Sequence, residues 1–227
     1  MIKKIFGYQV WHLVSVIILI TVTQKFISIS YDTTNGELWG ISTLVWFWIA
    51  IAIPIFHQVY VWIIWRLELY NNTFTSRYGV QRAFKIYSAG FSLLFVSRLI
   101  FIIILAISNQ GSLSVNPLYT YLIAALITPV VIYLFYSVIR YFTFERAFGI
   151  DHFDKNYNRP YVKEGIFRYT DNGMYVYGIL ILYFPGLLLL SKAALIVALF
   201  SHIYIWIHYY CTELPDMKVI YGKTPGN

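Results

Sequence analysis

Two polar segments in the last third of the chain hold the residue types that bind and move charge. One is Gly165-Ile166-Phe167-Arg168-Tyr169-Thr170-Asp171-Asn172-Gly173-Met174-Tyr175-Val176-Tyr177-Gly178; the other is Thr212-Glu213-Leu214-Pro215-Asp216-Met217. Asp171 or Asn172 stands where it can cap a following helix, whose free N–H groups and positive dipole end suit a carboxylate. Tyr175 and Gly178 are one helical turn apart, and the glycine lets a ligand or a neighbouring helix come close. His202, Trp206, Tyr209 and Glu213 follow at spacings of four, three and four, a single helical stripe running from an apolar stretch to a polar end. His202, deep in that stretch, needs a partner. Together these groups suit a charged small molecule. The same aromatics also suit an interfacial belt, and Asp171 a simple cap.

Other chemistries fare worse. His202 and His208 are six apart and fall on different helix faces, unlike an i, i+4 metal pair. Cys211 is the only cysteine, which excludes an intrachain disulfide and a cysteine-built zinc site. There is no Gly-rich phosphate loop, Gly173 with Gly178 makes no dinucleotide fingerprint, and no Ser/His/Asp set can be assembled. His12 and His57 have no companion motif and are read as structural.

The elements that must position these residues are apolar and long. Of 227 residues, 59% are hydrophobic and 12% charged, about half the charge of a soluble domain. Six apolar segments can be drawn, at 10–29, 38–65, 89–107, 118–142, 174–190 and 193–210. About 20 apolar residues cross a bilayer as a helix, so the chain reads as an all-α integral membrane protein with about six transmembrane helices. The second segment is long enough to tilt or bend at Pro54, and the fifth is short. Only Ser191 and Lys192 part the last two, which therefore form a tight antiparallel hairpin. That hairpin brings the two polar segments to one face. Met1-Ile2-Lys3-Lys4 precedes an apolar run without a small-residue cleavage site, so the run is the first span. Residues 1–142 read as a four-helix transmembrane region and 143–227 as a module of loop, hairpin and tail.

Charge sets the orientation. With the N-terminus inside, Lys3, Lys4, Arg66, Arg77, Arg82, Lys85, Arg146, Lys155, Arg159, Lys163, Arg168, Lys218 and Lys223 fall on the cytoplasmic side, and Lys25 and Lys192 outside. Six spans with both termini and the polar segments cytoplasmic satisfy the positive-inside rule. The net charge of +7 then reflects anionic lipid, with no soluble basic module for nucleic acid. Arg98 lies inside the third span and is costly there unless paired or snorkelling. The stretch 143–173 is long and carries both signs of charge, more than a connector needs.

The pattern Gly165-x-Phe167-Arg168-Tyr169-Thr170-Asp171-Asn172-Gly173-Met174-Tyr175-x-Tyr177-Gly178, a short hairpin, then Glu213-x-Pro215-x-Met217-x-x-x-Tyr221-Gly222 resembles the C-terminal module of membrane-embedded methyltransferases. These are the phospholipid and isoprenylcysteine carboxyl methyltransferases, and the resemblance covers 142–222. Asp171-Asn172-x-Met174-Tyr175 looks more like the phospholipid branch, since the other typically has Arg-His-Pro there. Gly173 stands where proline is usual, and Glu213 is single where many members have two glutamates. The resemblance implies S-adenosylmethionine as methyl donor, with Tyr169, Asp171, Asn172, Met174, Tyr175, Gly178, His202 and Glu213 around it. It also implies a membrane lipid as acceptor and Glu213 as the base. The acceptor is expected to be a phosphatidylethanolamine-type amine. Within the same chemistry, an isoprenylcysteine-type or other lipophilic acceptor is the alternative. An NADPH-dependent membrane steroid or enoyl reductase shares a comparable module and would bind a different cofactor. A channel or carrier is disfavoured because the intramembrane charges do not line successive spans.

Overall fold

The computed structural model describes residues 2–29, 31–157, 159–160 and 162–222; Lys223 of the charge reading lies outside them, as does Met1. Among the described residues, five helices are long and apolar enough to cross a membrane. Four come first: α1 (Gln9–Ile29), α2 (Thr43–Asn71), α3 (Val80–Ser108) and α4 (Pro117–Ser137). Their outward faces are large and apolar, with Trp11 67%, Leu93 70% and Leu126 74% exposed. Such surfaces need hydrocarbon around them. A two-residue ribbon, Glu37–Leu38 against Ile41–Ser42, joins α1 to α2.

The helix ends follow local rules. Asn116 accepts a hydrogen bond from the Leu118 amide at 3.0 Å and Pro117 opens α4, the usual N-terminal chemistry. At the end of α2, Asn72 turns left-handed at φ 49° and its N–H returns to the Glu68 carbonyl. The buried Glu68 carboxylate accepts the Phe74 and Thr75 amides, which ties down the turn after α2.

The fifth apolar segment, Gly173–Leu188, is shorter than a regular span. It consists of α5 (Gly173–Val176), a 3-10 run Gly178–Tyr183 and α6 (Phe184–Leu188). Pro185 lacks an amide donor, which is tolerated in the first turn of α6. The 3-10 stretch rises ~2.0 Å per residue against ~1.5 Å in an α-helix, which lengthens the segment's reach. The turn after it places Leu190 at φ 53°, and α7 (Lys192–His208) starts with Ser191 accepting the Ala194 amide at 3.2 Å. The tail ends in α8 (Leu214–Tyr221).

Helix α7 is the centre of the bundle. Ala193, Ala194 and Ala198 are fully buried, and such small residues let backbones approach closely where lipid offers no hydrophobic drive. Its core holds residues of α1, α2, α3 and the 3-10 run, including Val16, Phe47, Ile51, Leu105 and Leu182. Regions 1–142 and 143–227 thus meet in one core. His12 bridges Gln9 at 2.8 Å and Tyr204 at 2.9 Å, a structural role within that core.

Two polar knots define opposite faces. On one, the Arg66 guanidinium donates to the carbonyls of Lys4, Ile5 and Gly7 at 3.0, 3.2 and 2.9 Å and to Cys211 at 3.2 Å. That gathers the start of α1, the end of α2 and the end of α7. On the other, Asn109 donates to the Asn35 carbonyl at 2.9 Å and accepts from Ser191 and the Ala193 amide, each at 3.1 Å. Thr43 donates to the Ser108 carbonyl at 2.9 Å nearby. The chain therefore alternates between the two faces, and its first and last described turns share one of them.

Candidate functional site

The polar segments meet on the Arg66 face through two departures from α-helical geometry. Helix α4 ends in a π-turn, Val138–Phe142, closed by the Thr143 amide on the Val138 carbonyl at 2.8 Å. Helix α7 ends in another, Tyr209–Glu213, closed by the Leu214 amide on the Tyr209 carbonyl. Such turns widen the helix by one residue and recur at functional sites. Here they present Phe142, Tyr209 and Glu213 to the same cleft.

The stretch 143–173 is folded onto the helices. Ile150 and Phe153 pack with Val61, Trp65, Ala83 and Tyr87 of α2 and α3. Ile166 and Phe167 pack with Leu134 and Val138. Ser137 accepts the Ile166 amide at 3.0 Å. Gly165, at φ 60°, lies so close that a Cβ there would meet the Ser137 hydroxyl at 2.5 Å. These anchors turn the stretch into a wall.

The cleft is lined by Trp65, Phe142, Arg146, Ala147, Gly149, Asp151, Asp171, Asn172, Met174, Tyr175, Tyr209, Glu213, Met217 and Tyr221. The Tyr175 hydroxyl donates to the Glu213 carboxylate, joining the two polar segments across the hairpin. The Tyr175 ring stands edge-on to Trp206 at 5.9 Å and to Tyr209 at 5.7 Å. A carboxylate set among aromatic rings suits a cation, with about 0.5–2 kcal/mol from each ring face that a cation meets.

Of the residues expected from sequence, Asp171, Asn172, Met174, Tyr175 and Glu213 reach the cleft. Three do not line it. Tyr169 is 74% exposed. Gly178 packs against α4, where a Cβ would stand 2.7 Å from Leu134, so the close neighbour is a helix. His202 faces the Tyr183 hydroxyl at 3.3 Å. His202 lies on the regular part of α7, upstream of the π-turn that sets Glu213, and the stripe meets the cleft only at Tyr209 and Glu213. Capping also differs. Asn172 takes the N-cap position of α5 without a side-chain cap bond, and Asp171 pairs with Lys163 at 3.4 Å.

Behind the cleft lies a buried charge network that spacing did not single out. The Arg66 Nε meets Asp216 at 2.7 Å, with the two side chains 2% and 0% exposed. His152 lies between Asp151 at 3.6 Å and Asp216 at 3.7 Å, and stacks on Trp65 at 4.1 Å with an 18° tilt. Burial disfavours the charged form of His152, but the two carboxylates outweigh it and raise its pKa to about 9. Tyr221 donates to Asp151 at 2.8 Å. The sequence signals for this network were Asp216 in the second polar segment and the mixed charge of 143–173, with Arg66 ending an apolar span beside Trp65.

Residues 119–224 match the model of the phospholipid methyltransferase family. The matched stretch contains every cleft residue except Trp65, which α2 supplies from outside it. No curated protein and no solved structure matches the chain.

Proposed function

We propose, taking the phospholipid methyltransferase module of residues 119–224 as the premise, that this membrane protein N-methylates a phosphatidylethanolamine-type headgroup with S-adenosylmethionine as donor. The observation that carries the reading is the Tyr175–Glu213 contact, which unites both polar segments inside one aromatic cleft. The positive-inside reading turns the face that carries Arg66 toward the cytosol, where a soluble donor and a lipid acceptor could meet.

The donor set fits S-adenosylmethionine. When bound, that molecule supplies a methyl group on a positively charged sulfur, primed for in-line displacement. Tyr175 and Tyr209 offer ring faces to a sulfonium. Glu213 suits an ammonium or ribose hydroxyls. The remaining task of the protein is alignment and exclusion of water. An amine acceptor is protonated at neutral pH and must lose a proton before its lone pair can react. The Glu213 carboxylate is the base, and Tyr175 holds it in place.

Mass spectrometry of lipids from cells expressing the chain tests the reading. Mono-, di- or trimethylated phosphatidylethanolamine should appear, and Glu213→Gln should abolish it at equal protein level. An unchanged lipid profile beside tight binding of S-adenosylmethionine would shift the acceptor to another lipophilic class. Glu213→Gln turning over near the wild-type rate would remove that residue from the mechanism.

A further inference from the structure

Besides Asp171 and Glu213, the cleft holds a third carboxylate, Asp151 of the loop. Asp151 is 6% exposed. Its Oδ2 accepts from Tyr221 at 2.8 Å, whereas its Oδ1 has no hydrogen bond and only the His152 ring at 3.6 Å. A buried carboxylate oxygen left short of donors is costly, and its place in a cleft wall points to a donor from a ligand. Trp65 closes the same wall, with one ring face covered by His152. Gly149, at φ 81°, packs its backbone directly against the indole, since a Cβ there would meet it at 2.5 Å. Arg146, in the same loop, brings a guanidinium to the cleft, held over the Phe142 ring at 5.0 Å and donating to the Pro160 carbonyl at 2.8 Å.

A carboxylate and a guanidinium in the same cleft complement a zwitterion: a primary ammonium two carbons from a phosphodiester. We infer that Asp151 holds the ammonium of the lipid acceptor and that Arg146 faces its phosphodiester. This rests on the amine-acceptor reading above and divides the cleft. Tyr175 and Glu213 serve the donor and the proton; Asp151 sets acceptor specificity.

Native mass spectrometry on the detergent-purified full chain tests it, titrating phosphatidylethanolamine against the same lipid with its amine acetylated. The wild type should prefer the free amine by about tenfold or more, the worth of a charge-assisted hydrogen bond. The near-isosteric Asp151→Asn should erase that preference. Arg146→Gln should weaken both lipids alike and keep the ratio. A wild type indifferent to acetylation, or Asp151→Asn retaining the wild-type ratio, overturns the assignment. Calorimetric titration with S-adenosylmethionine is read separately, and Asp151→Asn should bind it within about twofold of wild type. A parallel loss there would place Asp151 with the donor instead. Failure of the wild type to bind S-adenosylmethionine would strike the methyltransferase reading while leaving the lipid preference as its own answer.

Discussion

Tyr175 and Glu213 stand 38 positions apart in the chain, yet one donates to the other. Their contact is the point at which two short polar segments become one site. Removing the hydroxyl while keeping the ring isolates that bond. Tyr175→Phe should lower kcat by about tenfold through the lost hydrogen bond to a charged group, with the retained ring keeping the KM for S-adenosylmethionine near wild type. Steady-state kinetics check it, and a raised KM with kcat unchanged would mean the tyrosine acts by binding alone.

Helices α2 and α8 are joined by a buried ion pair. Arg66 and Asp216 are both almost fully enclosed and within 2.7 Å of each other. Removing one partner of a buried pair strands the other, at a cost of about 3–5 kcal/mol. Asp216→Ala should therefore lower the thermal unfolding midpoint in detergent by several degrees. It should also loosen the tail, since Asp216 sits in the first turn of α8, just beyond Glu213. A midpoint unchanged within error would show that the pair contributes little. The π-turn before it matters for the same reason: Glu213 reaches the cleft because the last turn of α7 is widened.

Across the whole molecule, one buried imidazole reports on how loop, helix and tail are joined. His152 comes from the loop, stacks on Trp65 of α2 and faces Asp216 of the tail. Its folded-state pKa of about 9 lies above the ordinary 6.5, so its stabilising contribution is complete below pH 6.5 and is lost as pH rises through about 9. The unfolding midpoint should therefore fall more steeply between pH 7 and 10 in the wild type than in His152→Gln. Parallel curves for the two proteins would contradict the charge assignment.

The sequence by itself determined the class of the protein. Its apolar runs, scarce charge and tight turn at Ser191-Lys192 required membrane helices and a closing hairpin, because length and hydropathy are local properties of the chain. The paired motifs likewise named Asp171, Asn172, Met174, Tyr175 and Glu213, all of which the fold brings to one cleft. Tertiary structure decided the rest. Gly178 turned to Leu134, His202 to Tyr183, and the fifth apolar segment broke into α5, a 3-10 run and α6. Trp65, Asp151 and His152 entered the site area from α2 and the loop. Helical spacing assumes 3.6 residues per turn and sees neighbours on one element. It cannot anticipate a π-turn that rotates a side chain, or a charge paired 150 positions away as Arg66 is with Asp216.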